Sequence, residues 1–151
     1  QDSDFVIMAR TDANAIYGID DALERMGRYH EVGADLLFVE APKNKEEMCR
    51  ICSELDGPNL ANMIEGGTTP ILTLKELTDI GFAVATYPVA ATFVAAKAMR
   101  DLMSYLAKHG TTAGFDPNML QFSEFNEMIG LESLRDREEN YLKYASEFMV
   151  K

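Results

Sequence analysis

The chain has 151 residues, 47% hydrophobic and 26% charged, enough for one folded unit with a real core. Its net charge of −11 repels a phosphate backbone and so excludes nucleic acid as the expected partner. No apolar run approaches the ~20 residues of a membrane span. Cys49 and Cys52 make no disulfide framework, so a reducing, cytoplasmic compartment is the expectation.

Gln1-Asp2-Ser3-Asp4 is polar and acidic, unlike a secretory signal, and Gln1 in place of Met fits a processed chain or an internal fragment. Phe5-Val6-Ile7-Met8-Ala9 is a continuous apolar run, the habit of a strand covered on both faces in a parallel sheet. Arg10-Thr11-Asp12 ends it with sudden polarity. Ile19, Ala22, Leu23, Met26 and His30 then follow helical spacing, with Gly33 as the stop. Asp35 to Val39 predicts a second strand, ended by Glu40-Ala41-Pro42. The next helix carries Met48, Ile51, Cys52 and Leu55 on one face, with Asn44 as its N-cap. Leu60 to Ile64 predicts a third strand, followed by Glu65-Gly66-Gly67-Thr68-Thr69-Pro70. Thr73 and Glu76 have the spacing of a capping box, and Gly81 closes that helix. Phe82 to Thr86 predicts a fourth strand, ended by Tyr87-Pro88.

Beyond Val89 the character changes. Val89 to His109 is a long helical stretch rich in Ala and Met, 111–118 is a loop, and Ser123 to Ile129 and Glu132 to Val150 predict two further helices. In the last of these Glu138, Glu139 and Lys143 stand at pairing distances. The expected fold class is therefore α/β. Residues 1–88 supply four parallel βα strands with three connecting helices. Residues 89–151 supply the last barrel helix and a C-terminal helical extension that packs on another subunit. Polar residues gather at the C-terminal end of every strand, where βα barrels build their sites.

Five segments then resemble the isocitrate lyase / phosphoenolpyruvate mutase superfamily. They are Ala9-Arg10-Thr11-Asp12-Ala13, Gly33 through Pro42, Asn62 through Pro70, Tyr87-Pro88, and Phe122 through Leu131. The last is similar to the branch of carboxyvinyl-carboxyphosphonate phosphorylmutase, methylisocitrate lyase and oxaloacetate decarboxylase. The resemblance implies the second half of a (β/α)8 barrel, binding Mg²⁺ and an α-oxy or α-keto carboxylate, and assembled as a homo-dimer or tetramer. The superfamily's first half carries a D-x-D pair for the metal and, in the lyases, a K-K-C-G-H loop with a catalytic Cys. Asp2-Ser3-Asp4 has the first spacing but precedes a strand, and Lys108-His109-Gly110 lacks the Cys. Most metal ligands are thus expected outside this chain.

Arg10 is the leading candidate. A guanidinium at a strand tip grips a carboxylate through two parallel hydrogen bonds; the alternative is an ion pair with Glu40 or Asp12. Glu40 can polarise a substrate hydroxyl, touch the metal through water, or pair with Arg10. Asn62 can donate to a carboxylate oxygen, and Gly66-Gly67 lets backbone approach an anion. Glu65, Gly66, Thr69 and Thr86 complete the candidate substrate-binding set, although hydroxyls and glycines at such turns often serve only the backbone. Asp12 can simply fix Arg10. Cys49 and Cys52 have C-x-x-C spacing without further ligands for zinc, and His30 and His109, on helices, read as structural.

Three functions compete. The first is a Mg²⁺-dependent lyase breaking a C–C bond of an α-hydroxy or α-keto di- or tricarboxylate. The second is P–C bond chemistry on the same scaffold, by a phosphonomutase or phosphonate hydrolase. The third is an inactive half barrel serving as a binding module.

Overall fold

The structure is a computed structural model and describes residue 2 and residues 4–149. Ser3 of the Asp2-Ser3-Asp4 spacing and Val150 of the last predicted helix lie outside the described residues. Strand and helix alternate as β1 (Met8–Thr11), α1 (Ile19–Glu31), β2 (Leu36–Val39), α2 (Lys45–Glu54), β3 (Leu60–Asn62), α3 (Leu74–Ile80) and β4 (Val84–Thr86). Three helices follow: α4 (Ala90–His109), α5 (Phe122–Met128) and α6 (Leu131–Met149).

All strand pairing is parallel. β1 pairs with β2 from Met8↔Leu36 to Thr11↔Val39, and β3 with β4 from Leu60↔Val84 to Asn62↔Thr86. A single bridge, Leu37↔Asn59, joins the two pairs, with the Leu37 N–H donating to the Pro58 carbonyl at 2.9 Å. The strands thus neighbour each other in chain order, as successive βα units do. The four runs do not form one uninterrupted sheet, because β2 and β3 share only that bridge.

The strands are also shorter than the apolar runs, and β1, β2 and β4 begin later. Phe5 and Val6 lie before β1 and are exposed. Ladder pairing needs a partner backbone, and the partner of β1 begins only at Leu36. Nor is β1 covered on both faces: Met8 is exposed while Thr11 is buried. The fully covered strand is β2, whose Leu37, Phe38 and Val39 are all buried. Among the described residues β1 and β4 each have one neighbour, and side chains such as Met8 and Val84 stay exposed.

Helices cover one side of the strands. Ala22, Leu23 and Met26 of α1, Met48 and Ile51 of α2 and Leu77 of α3 meet Leu37, Val39, Ala61 and Met63 in one core. Burying the Leu, Ile, Val and Met side chains among these contributes about 1.5–3 kcal/mol each relative to leaving them exposed. The helix ends are set locally. Asn44 accepts from the Glu47 N–H at 2.8 Å, and Thr73 and Glu76 form a complete capping box. Gly81 ends α3 in the left-handed conformation at φ 115°, which carries no side-chain penalty for glycine.

The chain divides into two compact units, Gln1–Ala96 and Lys97–Lys151. Within the second, Tyr105 donates to the Ala113 carbonyl at 2.7 Å and its ring meets those of His109 and Phe115. No residue of α4 or α5 is buried. Among the described residues no ion pair joins Glu138 or Glu139 to Lys143; these side chains are exposed, and water competes for both charges.

Candidate functional site at the strand tips

A polar side chain stands at or just beyond the end of each strand, and four of these side chains make a continuous row. Arg10 is the penultimate residue of β1, Glu40 follows β2, Asn62 ends β3 and Thr86 ends β4. An Arg10 Nη2 atom stands 3.7 Å from Glu40 Oε2. The same Oε2 accepts from Asn62 Nδ2 at 3.3 Å. Asn62 Oδ1 in turn accepts from the Thr86 hydroxyl at 3.1 Å. The register explains the row: Asn62 and Thr86 are direct ladder partners, and Glu40 lies two residues beyond Phe38, the partner of Arg10. In strands residues two apart share a face.

Arg10 also pairs with Asp12. Nε donates to Oδ2 at 3.1 Å and Nη2 to Oδ1 at 2.8 Å, a two-bond fork. These bonds raise the Arg10 guanidinium and hold the Asp12 carboxyl below the usual carboxylate range. The guanidinium carbon lies 4.9 Å from the centre of the Phe38 ring, which supports it from below. Both alternatives weighed for Arg10 as an ion pair are therefore realised, with Asp12 on one edge of the fork and Glu40 beyond it. The Nη1 atom donates to neither partner and carries no hydrogen bond among the described residues.

The Gly-rich turn after β3 stands apart from this row. Gly66 has φ 76° and Gly67 donates to the Ile64 carbonyl at 3.0 Å. A Cβ on Gly67 would sit 3.1 Å from that carbonyl oxygen, so glycine there serves a tight turn. Glu65 is exposed and Thr69 is buried. No hydrogen bond or ion pair joins Glu65, Gly66 or Thr69 to the row among the described residues.

The remaining candidates sit elsewhere. His30 Nδ1 lies 2.9 Å from the Ala34 carbonyl, a local bond closing α1, and His109 stacks on Tyr105. Cys49 is exposed and Cys52 half-buried on α2, and burial pushes the Cys52 thiol up to about 11. A cavity of about 590 Å³ between α5 and α6 is lined by residues including Ser123, Asn126, Glu127 and Arg135, and holds none of the row.

Phe38 and Asn14 were not legible as site neighbours. Phe38 reads as one more apolar strand residue until the register sets it beside Arg10. Asn14 is fully buried in the 3-10 turn Ala13–Ala15, with no local pattern marking it.

Magnesium takes an octahedral shell of oxygens. Among the described residues no group of three or more His, Cys, Asp or Glu side chains gathers to hold an ion. The Asp12 oxygens are both engaged by Arg10, and Glu40 Oε2 faces Arg10 and Asn62. The residues present do not fit a primary magnesium shell.

Parallel strands alternating with helices, and polar side chains on every strand tip, place the chain in the α/β class to which βα-barrel enzymes belong. Residues 1–107 match the phosphoenolpyruvate phosphomutase family, and the chain belongs to that family within the isocitrate lyase superfamily. It is similar to 2,3-dimethylmalate lyase of Eubacterium barkeri, 51% identical over 91% of this chain and 48% of the relative. It is also similar to the chloroplastic carboxyvinyl-carboxyphosphonate phosphorylmutase of Arabidopsis thaliana, 38% identical over 93% of this chain and 42% of the relative. Among solved structures it matches oxaloacetate acetylhydrolase in complex with the product oxalate, with a TM-score of 0.82 and 28% identity. That match covers 91% of this chain and 47% of the other. The chain spans about half the length of the curated relatives it matches.

Proposed function

We propose that this chain forms the second half of a (β/α)8 barrel in a lyase that cleaves a C–C bond of an α-hydroxy or α-keto di- or tricarboxylate. The supporting observation is the Arg10–Glu40–Asn62–Thr86 row, drawn from four successive strand tips. The 51% identity to a 2,3-dimethylmalate lyase favours a hydroxy-dicarboxylate among the possible substrates.

Arg10 is the substrate clamp. Asp12 occupies its Nε/Nη2 edge, which leaves the Nη1/Nη2 edge to receive a carboxylate through two charge-assisted hydrogen bonds. Phe38 and Asp12 hold the guanidinium plane before substrate arrives, so little orientation is lost on binding. Glu40 takes the hydroxyl. Its Oε1 accepts from the substrate's α-hydroxyl and draws that proton as the C–O bond becomes a carbonyl. The electron pair of the breaking C–C bond passes to the other fragment as the enolate of its carboxylate, whose carbon then takes a proton from an acid outside this chain while Glu40 returns its own to solvent. Arg10 lies beside that developing charge and stabilises it. Asn62 and Thr86 keep Glu40 aimed. The Gly66-Gly67 turn and Thr69 line the same end of the strands, with Glu65 at the rim.

Magnesium, where the whole enzyme uses it, would be held by residues outside this chain, and Glu40 would touch it only through water. The exposed apolar side chains Val94, Met99 and Met103 on α4 support packing of the terminal helices on another copy, as a dimer or tetramer. Two free thiols suit a reducing, cytoplasmic setting.

The test uses the whole protein that carries this chain, with Mg²⁺ supplied. A panel of 2,3-dimethylmalate, methylisocitrate, oxaloacetate and a phosphonopyruvate is followed by NMR for C–C or P–C products, and native mass spectrometry gives the subunit count. Carbonyl and carboxylate products from a dicarboxylate are expected. Cleavage confined to the phosphonate would move the assignment to P–C chemistry, which the phosphorylmutase relative favours. Inertness toward all four would sink the lyase assignment.

A further inference from the structure

The turn that follows Glu40 is held from behind by a buried amide. Asn14 is 0% exposed, and its Nδ2 donates to the Ala41 carbonyl at 2.8 Å and to Glu47 Oε2 at 3.0 Å. The same Glu47 oxygen accepts from the Lys43 N–H at 2.8 Å. Both ends of the Ala41–Lys43 turn are therefore tied to one Asn14–Glu47 pair. Ala41 itself sits at φ 57°, a left-handed conformation that opposes any residue bearing a Cβ. Ala41 is the only non-glycine residue with positive φ among the described residues. Without an external tie this backbone would relax.

The amide orientation is determined by chemistry. Two acceptors face Nδ2, so the reverse orientation would press Oδ1 against two oxygens. Oδ1 is buried with no partner, a cost that a residue chosen only for packing would not carry. An aspartate could not substitute, since it has no N–H to donate.

Ala41 is covalently next to Glu40, and rotation of its backbone would redirect the peptide that carries the Glu40 side chain. We propose that Asn14 is a positioning residue for Glu40: by clamping the Ala41 carbonyl it locks the strained backbone that aims the Glu40 carboxylate at Arg10 and Asn62. The consequence for turnover rests on the role proposed for Glu40; the geometric claim does not. Asn14 comes from the turn after β1, so the first βα loop sets the second strand's functional side chain.

The test pairs a crystal structure with a kinetic cycle, both on the whole protein. In Asn14→Ala, Ala41 is expected to leave positive φ and the Glu40 carboxylate to move beyond hydrogen-bonding distance of Asn62. Ala41 still at positive φ, with Glu40 in place, would overturn the proposal whatever the enzyme's reaction. With 2,3-dimethylmalate as substrate, kcat is expected to fall roughly 10- to 100-fold, the scale of a displaced catalytic group, with KM little changed. In a Glu40→Gln background, Asn14→Ala should cause no further loss. Equal losses in both backgrounds would show a general structural role and overturn it. Should Asn14→Ala fold poorly, Glu47→Ala on a half-buried residue removes half the tie and should give the same signature in smaller measure. An unchanged kcat and an unmoved Glu40 in that variant would count against the clamp. A kinetic effect of Asn14→Ala without one for Arg10→Ala would strike the carboxylate-clamp assignment alone.

Discussion

Replacing Arg10 by alanine should separate binding from folding. The Arg10 side chain is 48% exposed and that of Asp12 60%. A pair so open to solvent contributes about 0–1 kcal/mol to stability. Glu40 is better covered, at 18%, but keeps the Asn62 amide when the guanidinium 3.7 Å away is removed. The fold should therefore lose about 1 kcal/mol, a melting-point drop of roughly 2–4 °C for a domain of this size class. A substrate carboxylate deprived of two charge-assisted bonds loses about 2–5 kcal/mol. That corresponds to roughly 30- to several-thousand-fold in kcat/KM. Arg10→Lys should recover only part, because an ammonium cannot present a planar fork beside Asp12. Steady-state kinetics on the dicarboxylate panel, run beside thermal melts of each variant, measures both quantities. A lowered melting point with normal kcat/KM would refute the clamp and leave Arg10 as a scaffold ion pair.

Two further predictions rest on local chemistry. The Thr73 backbone N–H, the Thr73 hydroxyl and Lys45 hold the Glu76 carboxyl down at about 2, from an ordinary 4.5. A folded-state value below the unfolded one stabilises fully above that ordinary value, and the benefit drains as pH falls toward 2. Acid melts should therefore fall less steeply across this window for Glu76→Gln than for the unaltered protein, and identical slopes would contradict the assignment. On α2, iodoacetamide at about pH 8 should label exposed Cys49 well before Cys52, whose half-buried thiol is held protonated. Peptide mapping that finds equal rates would show that α2 does not bury Cys52.

What could be read along the chain was whatever depends on neighbours within one helical turn. The Asn44 cap, the Thr73/Glu76 box and the Gly81 stop are i, i+3 or single-residue chemistry, and each stands where the sequence placed it. The order of βα units was equally legible, because the polar tips Arg10, Glu40, Asn62 and Thr86 punctuate the apolar runs. Strand ends were not. Phe5 and Val6 are as apolar as any strand, yet pairing exists only where a partner backbone lies alongside, and backbone bonds to the second strand begin at the Ile7 carbonyl, which accepts from the Asp35 and Leu36 N–H groups. The same limit governs the site. Types and order of the tip residues could be listed from sequence, but Asp12 taking one edge of Arg10, Phe38 beneath it and Glu65 outside the row follow from register and turn geometry. Asn14 shows the limit most plainly. Its partners, Ala41 and Glu47, lie 27 and 33 residues away, and a side chain's hydrogen bonds across such spans are set only when tertiary packing brings two loops together.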